Sequence, residues 1–121
     1  MSSSGKRSVS GAVVIGADQA PFDRAVLHVY LEDVGRQDAA AGRLAEAHLP
    51  VGPHRRGSAS PLSFTLDAPS ASAGSSLAVR CHVATHDGTD VRVGDKVSTT
   101  HVPVAATGDV TGLRIGLQDV G

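Results

Sequence analysis

The chain has 121 residues, the size of one domain, with 40% hydrophobic residues and a net charge of −1. This hydrophobic content is enough for a packed core and argues against wholesale disorder. The charge balance argues against a nucleic-acid or anionic-membrane surface, since both need an excess of basic residues. Only three residues are aromatic, one tyrosine and two phenylalanines, so aliphatic side chains must fill the core.

The cysteine content and the hydrophobic stretches limit the cellular context. The single cysteine, Cys81, cannot form an intramolecular disulfide, and its position predicts a small, unreactive core residue. No apolar stretch is long enough for a signal peptide or a membrane span. As written, the sequence predicts a cytoplasmic protein. It predicts an envelope protein if a leader has been removed from the N-terminus.

The first strands follow a short polar tail. Residues 1–8 are small, polar and basic, which predicts a flexible tail. Alternation of apolar and polar residues begins at Val9 and predicts a strand, within which Gly11 indicates a bulge or a close backbone approach. Residues 24–33 give the clearest strand, with Leu27, Val29 and Leu31 on one face.

The next segment allows two interpretations. Across residues 38–48, the alanines favour a helix, for which Asp38 would be an acceptable N-cap. Gly42 weakens that helix, and the neighbouring strands favour a short strand over about residues 43–49. The strand is the preferred interpretation, with one short helix near 38–48 as the alternative.

The rest of the chain continues the period-two pattern. Strands are predicted around residues 62–66, 77–84, 96–104 and 113–117, separated by loops rich in glycine, proline and serine. About six to eight short strands predict an all-β fold, a compact antiparallel β-sandwich, with residues 9–121 as a single domain. The inward positions of these strands form the predicted core: Leu27, Val29, Leu31, Phe64, Leu66, Val79, Cys81, Val83, Leu113 and Ile115.

Several of these segments resemble one family. Val9-Ser-Gly-Ala-Val13 and Ala25-Val-Leu-His-Val-Tyr-Leu-Glu-Asp-Val-Gly-Arg-Gln-Asp-Ala39 resemble the YbaY/YscW-type lipoprotein domain, whose family includes type III secretion pilotins. Leu62-Ser-Phe-Thr-Leu66 is similar to that family's central strand. The segments Leu77-Ala-Val-Arg-Cys-His-Val83 and Thr99-Thr-His-Val-Pro-Val104 are similar to its closing hairpin. The resemblance covers about residues 9–108.

The resemblance implies a compact β-sandwich without known enzymatic activity. It also implies an envelope role, in which a lipid on an N-terminal cysteine anchors the protein. Cys81 lies in mid-domain at an inward-facing strand position, so it does not correspond to that lipidated residue. We therefore expect a non-catalytic protein-interaction or assembly module.

The six histidines raise a metal-binding hypothesis. His82 and His86 share one face of the predicted strand, but at ~3.3 Å per residue they would stand ~13 Å apart, too far to bind one metal unless the strand breaks between them. A site would therefore need His28 or His101 from an adjacent strand beside His82. The preferred prediction is no metal and no cofactor. A small-ligand or metal carrier that uses this histidine-bearing face is the alternative.

No catalytic arrangement stands out in the sequence. None of the serines lies in a Gly-x-Ser-x-Gly turn, and the glycine-rich stretches lack the spacing of a phosphate-binding loop. We therefore expect a protein that is not an enzyme.

The candidate binding residues are those that alternate away from the core. Tyr30 is the aromatic residue expected to face outward, and tyrosine is a favoured interface anchor. Asp33, Arg36 and Asp38 form a charged corner, for which capping of a turn is preferred over recognition of a partner. We expect a partner protein or a second copy of the chain to bind such a surface. The outward aliphatic candidates are Val14, Val26, Val102 and Val104.

Overall fold

The part of the protein that the structure describes folds into eight strands. A computed structural model describes residues 6–34, 42–69, 76–86, 88, 90–98 and 102–121, and within these ranges it contains no helix. The all-β prediction is confirmed. The strands are β1 (Lys6–Ile15), β2 (Ala25–Asp33), β3 (Gly42–Val51), β4 (Ser60–Pro69), β5 (Leu77–Ala84), β6 (Lys96–Ser98), β7 (Val102–Val104) and β8 (Val110–Asp119).

The strands form one sheet that curls into a nearly closed barrel. Their order is β3-β2-β5-β6-β8-β1-β4, and β7 pairs with β5. The described ladders are antiparallel except the one between β1 and β8, which is parallel. The predicted sandwich is thus confirmed in a form whose two layers are joined through β6 and β8. β3 and β4, the two ends of this order, lie side by side.

The core lies between these layers. Leu27, Val29 and Leu31 of β2 are completely buried, as are Val79, Cys81 and Val83 of β5, because alternate positions of both strands face the same interior. Phe64 and Leu66 of β4 and Ile115 of β8 pack against them. Of the predicted core residues, Leu113 alone is only partly buried, although it packs on the same cluster.

β1 begins earlier than the alternation predicts. It includes Lys6, three residues before Val9, and pairs with β4 over its whole length. The Arg7 guanidinium is buried and donates hydrogen bonds to the carbonyl oxygens of Ala105 (2.6 Å) and Gly108 (3.0 Å). These bonds attach Arg7 to the turn before β8, although the sequence predicts that this residue belongs to the flexible tail.

The close backbone approach predicted at Gly11 is confirmed. The register of the β1–β8 ladder shifts between Val9 and Gly11, as it does at a β-bulge. A Cβ atom at Gly11 would overlap the carbonyl oxygen and the Cβ of Leu113. Glycine is therefore required here because the two strands come close together.

The ambiguous segment adopts the strand interpretation where the structure describes it. Residues 42–48 belong to β3, which pairs with β2 from Ala25 to Asp33. Tertiary pairing with β2 thus outweighs the helix propensity of the alanines. Residues 38–41 of the alternative helix lie outside the described residues.

Candidate functional site

Tyr30 faces outward from β2, but its side chain is covered. Only 2% of the residue is exposed, because the guanidinium groups of Arg43 and Arg80 lie 3.9 Å and 4.8 Å from its ring centroid. Arg80 also donates two hydrogen bonds of 3.2 Å to the carboxylate of Glu32. The expectation of an exposed aromatic anchor is therefore wrong, since alternation assigns a face but not what covers it.

The outward aliphatic candidates do not form one patch. Val14 lies on β1 and Val26 on β2, and these strands are not neighbours in the sheet. Val102 pairs with Val79 and packs against the core, and Val104 is buried there, so the outward assignment of both residues is wrong. The alternation failed here because residues 96–98 and 102–104 form two separate short strands rather than one.

The charged corner is described only in part. Asp33 is the last residue of β2 and is half-buried, with Gly42 and Leu77 as its register partners. Arg36 and Asp38 lie outside the described residues. Both interpretations of the corner therefore remain predictions.

Three histidines lie side by side on the outer face of the sheet. His28 of β2 is the register partner of His48 on β3 and of His82 on β5. The Nδ1 atoms of His28 and His48 are 2.6 Å apart, and the rings of His28 and His82 are 5.4 Å apart. Burial, reinforced by these two imidazoles, lowers the pKa of His28 below its ordinary value. The third member of the predicted set, His101, lies outside the described residues.

A denser cluster forms where β5 ends. The Nε2 atoms of His82 and His86 lie 2.8 Å and 3.0 Å from Oδ2 of Asp95. The wide separation predicted for an unbroken strand does not apply to these two histidines, because β5 ends at Ala84 and the chain bends before His86. Asp95 was missed by the sequence analysis. The signal available was the Asp87-Gly88 pair in the sequence, which predicts a turn after this strand.

The carboxylate of Asp95 is completely buried and accepts several hydrogen bonds. Its Oδ1 accepts hydrogen bonds from the backbone N–H (3.0 Å) and the hydroxyl (3.1 Å) of Thr85. Its Oδ2 also accepts the backbone N–H of Arg92 at 3.0 Å. Burial alone would raise the pKa of Asp95, but the bonds from Thr85, His82, Arg92 and His86 hold it well below its usual range.

Cys81 lies on the inner face of β5, and burial raises the pKa of its thiol to about 12. It is completely buried within the core cluster. Because the reactive form of cysteine is the thiolate, this environment keeps Cys81 unreactive, as the sequence predicts.

The barrel remains open between β3 and β4, the two strands at the ends of the sheet order. No backbone ladder joins β3 to β4 in the ranges that the structure covers. The inner-face residues of β3 beside this gap, Ala45, Ala47 and Leu49, are only half-buried, as is Leu62 of β4. By contrast, the inner-face residues in the middle of β2 and β5 are completely buried. We call Ala45, Ala47, Leu49 and Leu62 the open seam.

Comparison with known proteins identifies the fold and the family. A solved structure described as an alternative pilotin from the type II secretion system of Vibrio cholerae shares the fold, with a TM-score of 0.66 and 24% sequence identity. The similarity covers 96% of this chain and 98% of that chain. No curated protein sequence matches the chain.

Two further observations concern the family and the membrane. In the described part of the chain, the structure contains no helix with the length and apolar character needed to cross a membrane. The family model described as type III secretion system lipoprotein chaperone matches residues 4–115, nearly the whole sequence. The chain therefore belongs to the YscW family of type III secretion system lipoprotein chaperones.

Proposed function

We propose that this chain is a non-catalytic assembly factor that binds a protein partner along the open seam. The family to which it belongs is described as a lipoprotein chaperone of a secretion system, which supports a role in protein binding. A subunit of an envelope secretion complex, with a secretin as the first candidate, is the partner that this membership favours. The envelope is accordingly the proposed location.

The half-buried apolar side chains of the seam are the observation that carries the proposal. Ala45, Ala47 and Leu49 point towards the core, yet solvent reaches them because β4 does not pair with β3. Burial of such a surface by a partner is favourable at ~25 cal/mol per Å² of apolar area. The open seam thus offers an apolar contact surface that the sheet itself leaves incomplete.

The strand edges beside the seam add backbone groups to this surface. An unpaired edge can accept the strand of another chain, which then pairs through main-chain hydrogen bonds while its side chains enter adjacent pockets. We therefore expect the bound part of the partner to be an extended segment with alternating apolar residues. Its apolar side chains would pack on Leu49 and Leu62, the two largest members of the open seam.

Site-specific photocrosslinking tests this proposal. A photoreactive residue in place of Leu49 should give a covalent adduct with a secretion-complex subunit, identified by mass spectrometry, in cells that naturally produce both proteins. The matched control is the same residue in place of Thr65, which is exposed on β4 and lies outside the seam. Equal adducts from both positions, or no protein adduct from Leu49, would contradict the proposal.

A binding measurement with the purified partner completes the test. Leu49→Arg places a charge in the seam and should weaken binding at least about tenfold, since a buried unpaired charge is costly. Thr65→Arg should leave binding unchanged. If Leu49 crosslinks only to a second copy of this chain, and sedimentation shows a dimer, the partner is the chain itself and the assembly role is rejected.

A further inference from the structure

We propose that His82, His86 and Asp95 form a binding site for one divalent transition-metal cation. Each of the three residues offers one ligand atom, and these atoms lie within 4.8 Å of one another. Nε2 of both histidines is directed at Oδ2 of Asp95. This inference does not depend on the proposed protein-binding function, because the cluster lies at the end of β5 and the open seam lies between β3 and β4.

The distances between these atoms suit a shared cation. With metal–ligand distances of ~2.1 Å, two neighbouring ligands stand ~3.4 Å apart in a tetrahedral site and ~3.0 Å apart in an octahedral one. The two imidazole nitrogens lie 2.8 Å and 3.0 Å from Oδ2 of Asp95. The arrangement therefore places three ligand atoms around one corner of a coordination sphere, and water can occupy the remaining positions.

The hydrogen bonds to Oδ2 of Asp95 provide a second argument. A carboxylate oxygen has two lone pairs, but three N–H groups converge on this one, from His82, His86 and the backbone of Arg92. A cation in place of the two imidazole protons would use one lone pair and leave the other to Arg92. Each imidazole would then carry its proton on Nδ1 and present its Nε2 lone pair to the cation.

The surroundings hold the carboxylate in position for this role. Thr85 donates two hydrogen bonds to Oδ1, so Oδ2 remains directed at the two histidines. The backbone of Asp95 is fixed as well, because its N–H donates to the Arg92 carbonyl and its carbonyl accepts the Val120 N–H. Hydrogen bonds of this kind to a ligand are typical of metal sites, where they fix the orientation of the coordinating group.

A third imidazole lies beside the cluster and is incompletely paired. His28 is buried, its ring centroid lies 5.4 Å from that of His82, and its Nε2 makes no hydrogen bond of ordinary geometry within the described residues. The imidazole of His28 also interacts with the backbone of Gly88, two residues beyond His86. A site rich in imidazole favours zinc, copper, iron or nickel over magnesium or calcium, which prefer oxygen ligands.

The cluster is accessible from one side. The side chains of His82 and Asp95 are 1% and 0% exposed, whereas that of His86 is 17% exposed. His86 also lines a groove of about 310 Å³ together with Arg24, Val26 and Thr85. A cation can therefore enter past His86 while the other two ligands remain enclosed.

Titration of the purified full chain, produced without a histidine tag and stripped with a chelator, tests the proposal. Isothermal titration with Zn²⁺ should show saturable binding of about one cation per chain. Zn²⁺ should raise the thermal midpoint of the wild type, because a ligand that binds the native state stabilises it. Co²⁺ should give visible absorption bands of a nitrogen-coordinated ion.

Two variants distinguish specific binding at this cluster from non-specific binding to surface histidines. His86→Gln should weaken Zn²⁺ binding by at least ~100-fold, since even partners outside the coordination sphere are worth up to that factor. It should also remove the Co²⁺ bands. The matched control, His48→Gln, removes an exposed histidine outside the three ligands and should leave the affinity within about twofold. Circular dichroism of each variant checks that it folds.

Three results would overturn the proposal. The first is no saturable binding to the folded wild type. The second is equal weakening of binding by His86→Gln and His48→Gln, which indicates adsorption to surface histidines. The third is unchanged binding in a folded His86→Gln variant.

Discussion

Lys96 and Asp119 form an ion pair in which the two side chains are unequally buried. Lys96 is completely enclosed, and its Nζ lies 2.5 Å from Oδ1 of Asp119, whose side chain is 40% exposed. The two residues are register partners of β6 and β8, the strands that join the two layers of the barrel. Asp119 also accepts the backbone N–H of Ala20 at 3.1 Å. This pair therefore holds the junction between the layers.

Asp119→Asn should destabilise the protein by about 2 kcal/mol. The substitution leaves the Lys96 ammonium buried without its opposite charge, which is strongly unfavourable, although water at the exposed side of residue 119 reduces the loss. Urea unfolding followed by circular dichroism measures the change. The control is Asp67→Asn, at an exposed position on β4, which should change the stability by less than about 0.5 kcal/mol. Equal effects of the two variants would contradict the assigned role of the pair.

Stability should fall as the pH drops below about 4. Burial raises the pKa of Asp119, but its bonds from Lys96 and Ala20 outweigh that effect and hold the pKa below the ordinary value; Asp95 is shifted in the same direction. Because both pKa values are lower in the folded state, the unfolded chain takes up protons first as the pH falls. The contribution of the ionised Asp95 and Asp119 to the free energy of unfolding is therefore complete above the ordinary pKa of an aspartate, and it is lost as the pH falls below that value.

The measurement is the urea midpoint between pH 5 and pH 3 for wild type and Asp119→Asn. The wild type should lose more stability over this range than the variant, which lacks one of the titrating carboxyls. The comparison between the two proteins removes the contribution of His28, whose lowered pKa acts equally in both. A wild-type midpoint that stays constant down to pH 3 would contradict the prediction.

Much of the fold could be predicted because the strands carry their own pattern. In β2, β4 and β5, apolar side chains occupy every second position, and the face assigned to Leu27, Phe64 and Val79 is the one that the structure buries. The pattern failed at Val102 because a three-residue strand contains too few residues to fix its own face. There the pairing with Val79 on β5 decides the orientation.

The site was less predictable because it depends on where strands end and which strands pair. The wide spacing expected for His82 and His86 holds only for an unbroken strand, and β5 ends between them. Asp95 comes from the return of the chain towards β6, which alternation does not describe. Tyr30 was assigned to the correct face, but the arginines that cover it are on adjacent strands, and strand order is not contained in local periodicity.

The covered position of Tyr30 predicts a structural role for its ring. Tyr30→Ala should cost about 3 kcal/mol, because it removes a buried aromatic side chain and its contacts with the guanidiniums of Arg43 and Arg80. Tyr30→Phe keeps the ring and should cost less than about 1 kcal/mol. Chemical denaturation of both variants checks the difference. A loss below about 1 kcal/mol for Tyr30→Ala would show that the ring is not part of the stabilising contacts.

The approach of β1 to β8 makes Gly11 the most restrictive glycine of the sheet. In Gly11→Ala, the added methyl group would meet the carbonyl oxygen and the Cβ of Leu113, which belong to the backbone and the stem of a neighbouring strand and cannot rotate away. The two strands would have to separate at the bulge between Val9 and Gly11. We expect a loss of about 2 kcal/mol in the free energy of unfolding.

Gly116→Ala is the matched control, because it lies on β8 in the same ladder and its added methyl group meets no atom within 4 Å. Alanine there also reduces the freedom of the unfolded chain, so the variant should be neutral or stabilised by up to about 1 kcal/mol. Urea unfolding of both variants measures the contrast. If Gly11→Ala is as stable as Gly116→Ala, the strands are not in close contact at Leu113. If both variants lose stability equally, alanine is unfavourable in this ladder for a reason other than the contact with Leu113.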